Sequence, residues 1–192
     1  MSACERLDLR PVDEKWYRAI RPEYSDAALG SSHTLSLRSR FSQGNAADLP
    51  FEILYLAESL TVALYEVRAQ YGPPDRPIPD PDQSKWDLLD IDVKLQSVAD
   101  LTDVRQRKRL GISAQELTGD WKLVHPNNDA PTQRLGAALY ATEGIEGFLA
   151  ISATMPRCKT LVIFPRKLRA GSELSYKDPR SRKIHRIPNP GR

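Results

Sequence analysis

The sequence predicts a single α+β domain in which strands do not alternate regularly with long helices. Three observations carry this. At 192 residues the chain fits one domain of roughly 100–200 residues. Leu89, Ile91 and Val93 alternate with Asp90 and Asp92, the period-two pattern of a strand with one wet face. The segments with helical periodicity are short, and no internal repeat or domain-dividing linker separates them from the strands. With 40% hydrophobic and 28% charged residues the chain can bury a real core. A net charge of +3 is too thin a surplus to mark a nucleic-acid binder or a polybasic membrane anchor.

The elements follow in chain order. Residues up to Lys15 read as an irregular arm, and Trp16 to Ile20 as a short strand stopped by Arg21-Pro22. Leu35 to Phe41 alternates apolar and polar residues, which predicts a half-buried strand before the Gly44-Asn45 turn. Phe51 to Ala57 is a strand by its branched and aromatic content. Ser59 then caps a helix whose Leu60, Ala63, Leu64 and Val67 share one face, with Gly72-Pro73 as the stop. Pro73 to Ser84 holds five prolines and reads as a surface loop.

After the Leu89–Val93 strand, Thr102 to Arg109 predicts a short basic helix ended by Gly111. Ser113 and Glu116 have capping-box spacing, and a third helix runs from Pro131 or Thr132 to Thr142, closed by Gly144. Gly147 to Ala153 and Thr160 to Phe164 are two further strands, and a basic, polar tail begins at Arg166.

The usual signatures of chemistry are missing. His33, His125 and His185 are scattered and neither Cys4 nor Cys158 has a Cys-x-x-Cys partner, so no metal site is expected. Phosphate-loop, dinucleotide-fold and nucleophile-elbow motifs are absent. Arg105 to Arg109 is a basic cluster whose plain reading is a solvated helix face. The N-terminus has no apolar stretch of leader length, and the longest apolar run, Leu161 to Phe164, is far short of the ~20 residues a membrane helix needs. A cytoplasmic protein with free thiols is expected.

The order of residues says more than any single motif. Tyr17-Arg18 is followed by Arg40-Phe41, then Leu54-Tyr55-Leu56-Ala57-Glu58-Ser59, Ala63-Leu64-Tyr65-Glu66, Ile151-Ser152-Ala153 and Leu161-Val162-Ile163-Phe164. This succession, over residues 16–165, resembles the RES-domain family, named for an Arg, a Glu and a Ser, whose members are toxins of Xre–RES toxin–antitoxin pairs. The resemblance implies an ADP-ribosyltransferase-like fold, with a split, mostly antiparallel sheet and short flanking helices. It also implies consumption of NAD by phosphorolysis, hydrolysis or ADP-ribosyl transfer to a protein. NAD would be a substrate, with no regenerated cofactor, and the partner a cognate Xre-type antitoxin. A homodimer is left open, and neither a membrane nor direct nucleic-acid contact is expected. The implied catalytic triad is Arg18, Glu66 and Ser152, with Arg40 and Tyr55 as further NAD contacts. The family commonly shows Gly-Gly-Arg-Phe/Trp-Asn where this chain has Arg38-Ser39-Arg40-Phe41-Ser42. A rival from another class is a binding module working through its basic segments.

These residue types suit that chemistry. Breaking the nicotinamide–ribose bond builds positive charge on the ribose, which a carboxylate can stabilise. Glu66 falls about 60° from Ala63 on the helical wheel, at the edge of the apolar stripe, where it meets either a cleft or solvent. Guanidinium groups such as Arg18 and Arg40 offer a planar, permanently charged fork for pyrophosphate. Tyr55 either packs into the core with its hydroxyl at the edge or faces the nicotinamide. Ser152 lies in an apolar strand and needs a partner if buried; it orients Glu66 or the ribose, since no histidine neighbours it as a base.

Overall fold

The structure, a computed structural model, describes residues 3–73, 75–80, 82–124 and 129–188; His125 and the last four residues lie outside them. In chain order the elements are β1 (Leu9–Ile20), β2 (Leu54–Ala57), α1 (Leu60–Glu66), β3 (Gln70–Tyr71), β4 (Ile78–Pro79), β5 (Asp87–Asp100), α2 (Val104–Leu110), α3 (Ala114–Thr118), α4 (Trp121–Val124), α5 (Pro131–Ala141), β6 (Gly147–Ile151), β7 (Lys159–Ile163), β8 (Glu173–Lys177) and β9 (Ile184–Ile187). Mixed α and β character with short helices is what the sequence predicts.

The main sheet runs β1-β2-β7-β6-β5-β8-β9, and β1 also pairs with β5. That extra pairing closes β1, β2, β7, β6 and β5 into a ring, where a split sheet is expected. Closure rests on length. β1 and β5 stay antiparallel from Leu9 opposite Ala99 to Ile20 opposite Asp87, bending at a bulge between Arg10 and Val12. β1 then reaches β2 at one point, Tyr17 opposite Ala57. Only β5 and β6 pair in parallel.

Side chains alternate across the walls of the ring. Leu54, Leu56, Leu149, Leu161 and Ile163 join Val12, Trp16, Ile91 and Val93 in the inner core. Ile53, Phe148, Val162 and Phe164 point the other way, into a second core shared with Phe41, Leu117 and Leu139. Both faces of β6 and β7 are thus buried, which is why they read as unbroken apolar runs. Phe148 meets Phe41 edge-on at 5.0 Å between ring centres. α5 approaches this layer so closely that a Cβ on Gly136 would stand 2.0 Å from the Phe41 carbonyl oxygen.

The local signals hold where they are caps. Ser59 accepts the Val62 N–H and starts α1, Asp103 and Gly111 bound α2, and Ser113 with Glu116 forms a capping box. α1 ends before Gly72, because Arg68 takes a left-handed φ of 60°. The Arg68 N–H then meets the Tyr65 carbonyl and the Ala69 N–H that of Leu64, a Schellman closure with arginine in the usual glycine place.

Three expectations fail. The arm before Trp16 is part of β1; its exposed Arg10, Asp13, Glu14 and Lys15 mask the strand pattern, and only Val12 turns inward there. Leu35 to Phe41 is not a strand: Ser32–Leu35 forms a 3₁₀ turn, Leu37 is exposed, and a single bridge joins Ser39 to Ser42. The basic tail folds as β8 and β9, added to the ring through Asp92–Lys94. Its inward residues, Leu174 and Tyr176, are buried, while Glu173, Ser175 and Lys177 take the alternate positions of β8.

Candidate active site

The ring brings the dispersed arginine, glutamate and serine together. β1 carries Arg18, β2 carries Tyr55, α1 ends on Glu66 and β6 runs out into Ser152. Arg18, Tyr55 and Glu66 line one cleft of about 330 Å³, with Tyr17, Ala63 and Thr160 among its other walls. Ser152 stands behind Glu66, and Arg40 approaches from the loop beneath Tyr55.

Glu66 is held on one side only. Its Oε1 accepts the hydroxyl of Ser152 at 2.7 Å and that of Thr154 at 3.1 Å. Ser152 is fully buried, donates its N–H to the Cys158 carbonyl and accepts the Met155 N–H at its Oγ. The N–H and the hydroxyl of Ser152 are therefore committed, and the hydroxyl serves to aim the carboxylate. The Glu66 side chain itself is solvent-accessible, and among the described residues its Oε2 has no hydrogen-bond partner. A carboxylate fixed by one oxygen and open at the other suits the hydroxyl or the developing charge of a sugar.

Arg18 sits deep in the wall. Burial pushes its guanidinium down to about 10, with only the distant attraction of Tyr176 against it. Its Nη1 donates to the Ala28 carbonyl at 2.8 Å, and among the described residues no carboxylate pairs with it. A half-buried cation facing a cleft without a counter-ion favours an anionic ligand there. The carbonyl that holds it is held in turn. Tyr176 Oη on β8 accepts the Ala28 N–H at 3.2 Å and donates to the Ser25 carbonyl at 2.6 Å. Asp178 accepts from the Ser25 hydroxyl at 3.3 Å and closes the same turn.

Arg40 is more committed. Its Nη1 donates to the Leu117 and Gly119 carbonyls at 3.0 and 2.7 Å. Burial holds this guanidinium below its ordinary value, against the attraction of Glu66, Tyr55 and Asp120. Tyr55 fixes the loop rather than leaving its hydroxyl in the cleft: Oη pairs with Ser39 Oγ at 2.8 Å and accepts the Phe41 N–H at 3.3 Å. Burial pushes its phenol up to about 12. The ring still lines the cleft wall, so Tyr55 belongs to both the core and the site.

Gln133 of α5, fully buried, donates to the Ser39 and Ser42 carbonyls at 2.9 and 3.3 Å. Ser39 and Ser42 face each other across the turn, and Ser42 Oγ accepts the Gly44 N–H. The serines standing where the family has glycine and asparagine are thus hydrogen-bonded parts of a closed turn. Thr154, Gln133 and Tyr176 are the residues that the sequence reading missed. Only Thr154 had a visible signal, a second hydroxyl two residues beyond Ser152 at a strand end.

Among the described residues no group of three or more His, Cys, Asp or Glu side chains is arranged to hold a metal ion, and no helix is long and apolar enough to cross a membrane. No curated protein matches the chain. One solved structure that resembles it is a chain of the crystal structure of the M. tuberculosis MbcT–MbcA toxin–antitoxin complex. The TM-score is 0.65 at 21% identity, over 96% of this chain and 90% of that one. The model of the RES domain matches residues 15–183, nearly the whole ring and the first added strand, β8. With the Arg and Glu lining one cleft and the Ser bonded to that Glu, the match over that span makes this chain a member of the RES-domain family.

Proposed function

We propose that this chain is the toxin of a toxin–antitoxin pair and that it consumes NAD by cleaving the nicotinamide–ribose bond. The observation that carries the reading is the cleft itself: a carboxylate aimed by Ser152 faces the same space as a half-buried arginine with which no carboxylate pairs among the described residues. In the proposed step the C1′–N bond breaks and its electron pair leaves with nicotinamide. The ribose becomes oxocarbenium-like, and Glu66 Oε2 stabilises it. Water then adds at C1′ and loses a proton, giving ADP-ribose, or phosphate adds and gives the 1″-phosphate. Arg18 neutralises the pyrophosphate, with Arg40 setting the field at Glu66 from below. Kinship with ADP-ribosyltransferases belongs to this reading, as does transfer to a protein side chain in place of water.

A cognate Xre-type antitoxin is the proposed partner, in line with the complex in which the structurally similar chain was solved. The rival binding module draws little support from its basic helix. Arg105 pairs with Asp103, Arg109 with Asp8, and Arg107 donates to the Leu101 and Thr102 carbonyls. The deciding experiment is incubation of the purified chain with NAD, with and without phosphate, and identification of the products. ADP-ribose indicates hydrolysis, its 1″-phosphate phosphorolysis, and labelled protein transfer; intact NAD overturns the reading.

A further inference from the structure

A second cleft, of about 640 Å³, opens on the far side of Arg18 from Glu66. Arg18 and Ala19 line both clefts, so the two clefts adjoin at this stretch of β1. The second cleft has a distinct character. Arg21 places its guanidinium carbon 4.6 Å from the centre of the Trp86 ring. Tyr24, exposed over more than half its surface, and His33 add two further flat rings. Among the described residues no carboxylate pairs with Arg21 or Arg18, although both line this space.

Flat π-faces and unpaired guanidinium groups in one cleft select a phosphorylated aromatic base. Stacking serves any base face, and a guanidinium serves both ring and phosphate. We infer that this cleft is an adenosine-phosphate subsite, with the base on the Trp86–Arg21 platform and its 5′-phosphate turned to Arg18. The inference rests on the proposed NAD reading for the identity of the base. It adds that one substrate straddles Arg18, with the nicotinamide riboside half by Glu66 and the adenosine half by Trp86. It follows that the protein distinguishes NAD from nicotinamide mononucleotide by the second cleft alone.

The test is calorimetric titration of the full chain with ADP, nicotinamide mononucleotide and inorganic pyrophosphate. It uses the parent, Trp86→Ala and Arg21→Gln. Trp86 also packs against the cluster of Ala19, Ala57, Val62 and Ala63, so Arg21→Gln, which leaves that cluster intact, carries the test if the alanine variant unfolds. The parent is expected to bind ADP at least about ten-fold tighter than pyrophosphate. Each variant should lower the ratio of ADP to mononucleotide affinity about ten-fold, the size of one lost stack. Equal affinity of the parent for ADP and pyrophosphate, or ADP binding unmoved in Arg21→Gln, overturns the subsite. NAD cleavage with an unmoved KM in the variants leaves the enzyme standing and removes the subsite. Variant-sensitive ADP binding in a protein that leaves NAD intact does the reverse.

Discussion

Ser152 and Glu66 lie 86 residues apart in the chain, and the serine hydroxyl points at the glutamate Oε1 from 2.7 Å. The serine is fully buried while the glutamate reaches solvent, so the pair joins the core to the cleft. A buried hydroxyl with its backbone also bonded is a rigid reference point, and Glu66 takes its direction from it.

Glu66→Gln keeps size and part of the hydrogen bonding but removes the charge. Turnover of NAD should fall about 10²–10³-fold, the usual cost of one preorganised electrostatic partner. NAD affinity should change far less, because the charge matters most in the transition state. Glu58→Gln, whose carboxylate accepts from the Cys158 thiol outside the cleft lining, is the comparison and should stay near the parent. Product assays with a circular dichroism melt separate catalysis from folding. Equal rates in the parent and Glu66→Gln would falsify the assignment.

Tyr176→Phe removes the hydroxyl that joins the Ala28 N–H to the Ser25 carbonyl. Two buried backbone groups lose their partner, a cost of about 1–3 kcal/mol. The Ala28 carbonyl then no longer fixes Arg18, so KM for NAD should rise several-fold while kcat moves less. A KM that stays put in a destabilised variant would confine Tyr176 to a structural role.

Tyr55→Phe tests the loop in the same way. The phenol oxygen is what ties Ser39 and the Phe41 N–H to β2. With the ring retained, the cleft wall is preserved and only the seat of Arg40 loosens. Activity should fall about ten-fold or less, with an increased sensitivity to protease in the loop around Arg40. An unchanged cleavage pattern would mean that Gln133 holds the turn unaided.

Arg68→Gly should stabilise the fold. A non-glycine residue in the left-handed region costs about 1–2 kcal/mol, and the added freedom of the unfolded chain returns part of it, leaving a gain of about 0.5–1 kcal/mol. In a chain of this length that is a rise in Tm of roughly 1–4 °C by calorimetry. A lower Tm would show that the Arg68 side chain makes up for its backbone.

Asp178 carries a pH dependence. The Ser181 hydroxyl and the Arg180 N–H lead the hydrogen bonds that hold its carboxyl at about 2, below the ordinary 3.8. A depressed carboxylate lends its stability above the unfolded value and loses it as pH falls through the folded one. The difference in urea midpoint between the parent and Asp178→Asn should be full at pH 5 and shrink between pH 4 and 2. A constant difference across that range would rule out the charge as its source.

The strands and caps of the middle of the chain were legible because their signals are local. Ser59, Asp103, Ser113 and Gly111 act within a turn of themselves, and β5 alternates along its own length. The start of β1 was hidden because its burial depends on β5, far along the chain (Val12 lies opposite Leu95), and the outward face before Trp16 is charged. β8 and β9 look like solvated tail since few of their residues, Leu174, Tyr176 and Ile187 among them, pack against the core. Arg18, Glu66 and Ser152 were found through the ordered resemblance, not through chemistry visible at any one position. The committed hydroxyl of Tyr55 was beyond reach, because a strand tyrosine gives no sign of which backbone group it will meet. Closure of the ring was equally invisible, being a property of two long strands together.

The link from Tyr176 through Ala28 to Arg18 also has a meaning in time. Arg18 is translated well ahead of the tyrosine that steadies its anchor. A nascent chain, or one cut short by a premature stop before β8, holds the arginine, the glutamate and the serine yet lacks the strut that seats the cation. On the proposed function, the seat of the cation is complete only once β8 has been made, and a chain that stops short of β8 lacks it.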